Sequence, residues 1–303
     1  MLLYREELVM ATNKHREIQA LLHLLDDPDR EVYETVENRL LSYGHSVIPN
    51  LEDYWENSLS PYVQDRVEMI IHRIHYQSLR HEFENWKNGE ADLLYGAFLV
   101  AKYQYPELQS IQAQQELERM RRNIWLELNS YLTPLEQAKI MESILYNFYK
   151  MRGHEIAYHQ PKDFMIHEAI ESKRGNAIIL GILYLVLAEQ LDMPIRAINI
   201  PRQFVLGWFS HQVLYGNNLD TDAPWHHISF YIDPNSGAAF AHKDVELYFK
   251  RIGVPVTTSY FKPQTNKQII QLLLEQFAQC FAQDEKYLYK KEELESLSAL
   301  IGS

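Results

Sequence analysis

Apolar residues recur at three- and four-residue intervals through most of this chain, a spacing that predicts helix. Ile18, Leu21, Leu22 and Leu25 form one stripe and Val32, Val36 and Leu40 a second, with Asp26-Asp27-Pro28 between them. Gly44 stands where a helix C-cap is expected. Val47, Ile48, Leu51 and Trp55 continue the pattern; Ser60-Pro61 interrupts it, and Val63, Val67, Ile70, Ile71 and Ile74 resume it. Residues 14–85 therefore read as helical, and Trp86-Lys87-Asn88-Gly89-Glu90 marks the expected boundary. Helix is predicted again over 91–152: Leu93, Leu94, Ala97 and Phe98, then Leu117, Met120, Ile124 and Leu128, then Leu135 to Tyr149, with Pro106 and Pro134 as punctuation.

The pattern changes late in the chain. A loop over 158–164 leads into a helix over Met165–Ser172, and Arg174-Gly175 reads as a Gly-led turn. Ala177 to Ala188 is apolar on every side, the mark of a helix buried all round. Short apolar runs after Pro194 predict strands at Ile195–Ile200, Phe204–Phe209 and Ile228–Ile232, with a further short one within Ala238–Ala241. The connection from Ser210 to His227 is long for a hairpin. After Phe261 the helical spacing returns, with a stripe of Ile270, Leu273, Leu274, Phe277 and Phe281.

Composition narrows the function classes. A chain of 303 residues with 46% hydrophobic content can bury one large or two ordinary cores. Its formal charge of −12 repels phosphate backbones, so no nucleic-acid partner is expected. A single cysteine excludes an intrachain disulfide and a cysteine-rich zinc site. The first residues carry charge from Arg5 onward and offer no apolar run for a signal peptide. The longest apolar block is too short to span a bilayer. The expectation is a cytoplasmic protein with no membrane partner and no cofactor.

The N-terminal helices carry a weak internal match. Val32, Val36, Glu37 and Leu40 recur as Val63, Val67, Glu68 and Ile71. LLDDPDREVYETVENRLLSYG followed by Ile48-Pro49 resembles a HEAT repeat, which implies a protein-binding surface. An ordinary helical layer accounts for two such units equally well.

Candidate chemistry centres on KRGNAIILGILYLVLAEQLDMPIRAINIPRQF and YIDPNSG. Gly175 permits a tight entry and Asn176 is a good N-cap, so residue 177 stands at a helix N-terminus, where a thiolate would be stabilised. This order resembles the transglutaminase-like superfamily, which reads Arg-Gly-x-Cys at the helix start and Gly-Ile-Pro at its end. The resemblance implies a triad of Cys, His and Asp. Arg174-Gly175 and Met193-Pro194 match the two landmarks, and the triad positions then read Ala177, Gln203 and Asp233. The bacterial SirB-type branch reads Pro-Gly-His-Phe and Ile-Asp-Pro-Phe where this chain has Pro201-Arg202-Gln203-Phe204 and Ile232-Asp233-Pro234-Asn235. DLLYGAFLVAKYQYPEL and YHQPKDF are similar to further segments of that branch, and the likeness covers roughly residues 91–260.

The implied fold is α+β and mainly helical: a papain-like core with a small antiparallel sheet, flanked by helices. Its parts would be a HEAT-like layer over 1–88, a SirB-type core over 89–260 and a helical cap over 261–303 resembling a truncated tetratricopeptide segment. A methyl group cannot attack a carbonyl, and a glutamine amide cannot take up a proton near neutral pH. No catalytic residue is therefore expected, and the leading function is a non-catalytic module that binds or regulates a protein or peptide. Asp233 either holds the Gln203 amide or caps its own Asp-Pro-Asn-Ser-Gly turn, and the turn is favoured.

Two alternatives stay open. The first is a hydrolase or transferase with a relocated site near Asp233, with or without a metal drawn from His211, Asp220, Asp222, His226 and His227. No HExxH-type spacing supports a metal, and adjacent histidines on a strand face opposite ways. The second is a helical-repeat scaffold. Asn176, Arg202, His226 and His227 are the expected pocket residues; Cys280 reads as a small core hydrophobe, and His167 and His242 as ordinary polar positions.

Overall fold

The computed structural model describes residues 14–210 and 227–302. His211, Asp220, Asp222 and His226 lie outside the described residues. Two compact units divide between His81 and Glu82. The protein is a mainly helical α+β structure with a small antiparallel sheet. Among the described residues no helix is long and apolar enough to cross a membrane.

The first unit holds helix α1 (14–23), α2 (Arg30–Leu41), α3 (Ile48–Asn57) and most of α4 (Pro61–Asn88). Its core gathers residues from each stripe predicted over 14–85, including Ile18, Leu22, Val36, Leu51, Val67 and Ile74. Trp55 departs from the expectation. It is exposed, and its indole N–H donates to Glu68 Oε1 at 3.0 Å. The glutamates matched in the internal repeat also differ. Glu37 is buried, pairs with Arg73 at 2.6 Å and accepts the Tyr33 hydroxyl at 3.2 Å, whereas Glu68 lies at the surface.

The boundary expected at 86–90 is an ordered corner. Helix α4 runs on to Asn88, and Trp86 is buried with its indole donating to the Asp92 carbonyl at 2.7 Å. A Cβ on Gly96 would lie 2.7 Å from that ring, so the glycine is what lets the two meet.

The second unit continues with α5 (Leu93–Gln104), α6 (Ile111–Glu127) and α7 (Pro134–Glu142), which runs into a π-helical turn at Ser143–Phe148. Strand β1 (Arg152–His154) pairs in parallel with β2 (Arg174–Asn176) on either side of α8 (Ile166–Ser172). The segment expected as a simple turn is thus a short strand. Helix α9 (Ala177–Gln190) follows, buried from Ile178 to Ala188 as its uninterrupted apolar sequence requires. Asp192, at φ +56°, ends it and Pro194 leads into the sheet.

The four-stranded sheet has the order β3 (Ile195–Ile200), β4 (Gln203–Phe209), β5 (Ile228–Ile232), β6 (Ala239–Phe240), antiparallel throughout. Phe204 packs on Gly181 of α9 on one face. Ile198, Ile200 and Val205 share the other face with Val245 and Phe249 of α10 (His242–Ile252). Helices α11 (Asn266–Ala278) and α12 (Leu288–Gly302) pack closely on each other at the C-terminal end.

Candidate functional site

The start of α9 is built by its cap. Asn176 is fully buried; its Oδ1 accepts the Ile178 and Ile179 N–H groups at 3.0 and 3.1 Å, and its Nδ2 donates to the Asp163 carbonyl at 3.0 Å. These bonds satisfy two of the orphan donors of the first helical turn. They also leave Asn176 inside the wall, not in a pocket as the sequence suggested. Ala177, half-buried, opens onto a cleft of about 730 Å³.

Gln203, Asp233 and Arg202 line the same cleft as Ala177. His227, expected there, does not line it; its carbonyl accepts the Ser210 N–H at 2.9 Å. The remaining wall comes from residues the sequence reading missed. His154 ends β1 and Glu155 follows it, Asn199 lies on β3, and Tyr158 donates its hydroxyl to Gln276 of α11 at 2.7 Å. No local signal marks Gln276, because only tertiary packing carries α11 to the 154–164 segment.

The three triad positions share a cleft without forming a relay. Asp233 is committed to its own loop: Oδ1 accepts the Asn235 N–H and Oδ2 the Ser236 hydroxyl, both at 2.9 Å. Its carbonyl also accepts the Gly237 N–H at 2.7 Å. That loop is fastened at two further points. Tyr146, from the π-helical turn, donates to the Pro234 carbonyl at 2.5 Å, and Gly153 N–H donates to the Asn235 carbonyl at 3.0 Å. Gly153 has to be glycine, since a Cβ would fall 2.4 Å from the Asn235 Cα. Burial pushes the Tyr146 phenol well above its ordinary range, with Asp233 and Glu142 adding to the effect.

The register of the sheet matters for Gln203. It pairs with Ile200, while Phe204 pairs with Asn199. Alternation therefore places Gln203 with Ile200 and Val205 on the α10 face, and Asn199 with Phe204 on the α9 face. Gln203 reaches the cleft because it is exposed at the first position of its strand.

Cys280 offers no substitute nucleophile. It sits in a 3-10 turn after α11, and burial, assisted by Asp163, pushes its thiol up to about 12. His154 Nδ1 lies 2.9 Å from the Glu155 carbonyl, which can only accept, so that nitrogen carries the proton. Its Nε2 is 3.8 Å from Asp163 Oδ2. Among the described residues no group of three histidine, cysteine or acidic side chains is arranged to hold a metal ion.

A β-sheet packed on a buried helix, with an Asn-capped helix start facing the strand that follows, is the arrangement of a transglutaminase-like core. The sequence model of the transglutaminase-like superfamily matches residues 111–275, more than half of the chain, and the chain belongs to that superfamily. The chain is also similar to a UPF0162 protein of Vibrio cholerae, 27% identical over 128 residues that span 42% of this chain and 47% of that one. It is 31% identical over 68 residues to the F-box only protein 21 of Homo sapiens, and 29% over 75 residues to that of Mus musculus. These stretches cover 22% and 24% of this chain but only 11% and 12% of those proteins. The chain thus spans about half or less of the curated relatives it matches. No solved structure matches it.

Proposed function

We propose that this chain is a non-catalytic, SirB-type transglutaminase-like protein whose retained cleft binds a peptide segment of another protein. One observation carries the reading: the cleft stays open and polar although the position of the attacking thiol holds a methyl group. A site with neither substrate nor ligand would be expected to close with apolar side chains, because an unfilled groove forfeits packing energy. The exposed amides of Asn199 and Gln203, with Gln276 beside them, suit the donors and acceptors of a peptide backbone better than an apolar small molecule.

The test is selection from a bead-bound library of random dodecapeptides, using the full chain and its Ala177→Trp variant, whose indole would intrude into the cleft. Peptides retained by the wild type and lost by the variant support the reading. Equal retention by both removes the cleft from the function. Catalysis is tested separately: wild type should neither hydrolyse nor transamidate a glutamine-containing peptide. A turnover abolished by changing His154 or Asp233 would instead favour a relocated active site.

A further inference from the structure

Arg202 occupies the second place of the two-residue Pro201-Arg202 turn that joins β3 to β4, between the paired residues Ile200 and Gln203. Its φ is +63°, in the left-handed region, where a turn that opens with proline normally carries glycine. Its side chain is exposed, lines the cleft, and makes no hydrogen bond, ion pair or ring contact among the described residues. An arginine held in a glycine conformation, above a cleft and with no direct ion-pair partner among the described residues, is a guanidinium available to a ligand.

The neighbouring groups limit what that ligand is. Of the two carboxylates on the wall, Asp233 already accepts two hydrogen bonds from its own loop, while Glu155 is exposed. Arg202, Glu155 and Asp233 together leave the wall with one more negative than positive charge when His154 is neutral. That net charge disfavours a dianionic phosphate more strongly than a carboxylate, and a planar carboxylate fits the two-pronged donor face of a guanidinium. The side chains of Asn199 and Gln203, close to Arg202 on the same hairpin, also make no hydrogen bond among the described residues and can read a peptide backbone beside that anion.

We infer that the cleft takes peptides through a carboxylate, with Arg202 as the anchoring cation; this rests on the peptide-binding reading above and supplies its specificity. The carboxylate comes from an acidic side chain or from a free C-terminus, and one experiment separates the two. The random dodecapeptide library is made with free and with amidated C-termini, and each form is selected on the full-length wild type and on Arg202→Gly.

The expected result is an Asp or Glu enriched at one fixed position, or retention that requires the free C-terminus. A peptide synthesised from that consensus should bind Arg202→Gly at least tenfold more weakly. Replacing its carboxylate by an amide should weaken binding to the wild type by a similar factor and leave binding to Arg202→Gly unchanged. Arg202→Lys should fall between, since it keeps the charge but loses the fork. Glycine is favoured at φ +63°, so Arg202→Gly should unfold at no lower temperature than the wild type, and a binding loss is not a folding loss. Cleft-dependent peptides with no carboxylate requirement, or Arg202→Gly binding within twofold, would overturn the role of Arg202 and leave the peptide reading standing. Selection of no peptide sensitive to Ala177→Trp would overturn both.

Discussion

Gly181 lies in the interior of α9, where glycine is costly, and its neighbourhood explains why it is there. Replacing an interior helical glycine by alanine ordinarily gains about 1 kcal/mol. At this site an added Cβ would fall 2.4 Å from Phe204 Cε1, 2.7 Å from Cδ1 and 3.4 Å from Pro234 Cγ. The phenyl ring is nearly buried and belongs to the strand that carries Gln203, so it has little room to retreat. Overpacking of a filled core costs about 1–3 kcal/mol. Set against the gain in propensity, Gly181→Ala is expected to destabilise the second unit by roughly 1 kcal/mol, lowering its melting temperature by about 2–4 °C. Thermal unfolding followed by circular dichroism reads this directly. The sharper measurement is a double-mutant cycle with Phe204→Leu, which removes the ring edge. In that background Gly181→Ala should become neutral or stabilising, giving a coupling above about 0.5 kcal/mol. A higher melting temperature for Gly181→Ala alone, or additive effects in the pair, would refute the argument that ring packing selects this glycine.

Two further outcomes follow from the site. Asp233→Asn keeps an acceptor for the Asn235 N–H and should be nearly neutral, whereas Asp233→Ala loses two hydrogen bonds and should cost about 1–2 kcal/mol in urea unfolding; equal effects would mean that the carboxylate charge, and not the turn, is what matters. The Cys280 thiol, pushed up to about 12 in the folded protein from an ordinary 9.0, should react with iodoacetamide at pH 8 far more slowly than in urea. The folded state keeps the proton that the unfolded state has lost above pH 9. Any stability that Cys280 contributes relative to Cys280→Ala should therefore be constant below pH 9 and shrink as pH rises toward 12; a difference growing with pH would show the sign to be wrong.

The helices were legible because each buries a stripe, and a stripe is a periodic signal that survives without tertiary context. Ile18, Val36, Leu51 and Val67 all reach the core that their spacing predicted. The sheet announced itself by short apolar runs, and Pro194 marked its start. What the sequence hid depends on packing between distant segments. Arg152–His154 is a strand of three residues with a glycine at its centre, too short for any alternation, and it exists because Gly153 fits against Asn235. Trp86 read as part of a boundary because polar neighbours surround it; the cavity it fills is made by Gly96, ten residues on. The motif landmarks pointed to Ala177, Gln203 and Asp233, which line one cleft, but they said nothing of which sheet face each residue takes. Strand pairing, not spacing from a motif, decides that Asn199 and Phe204 look toward α9.

The hold of its own loop on Asp233 has a consequence for how such a protein changes over time. In a working triad the acid is a creditor of the base: remove the histidine and a buried carboxylate is stranded, so the fold resists the loss. In this chain the carboxylate is bonded to a corner of its own making, and that corner is pinned by Tyr146 and Gly153. Position 203 is thereby released from any structural duty toward position 233, and the two can drift independently. The converse also holds. Writing a histidine back into position 203 would give a base whose acid already accepts from the corner, so the old chemistry would have to share that carboxylate with the turn.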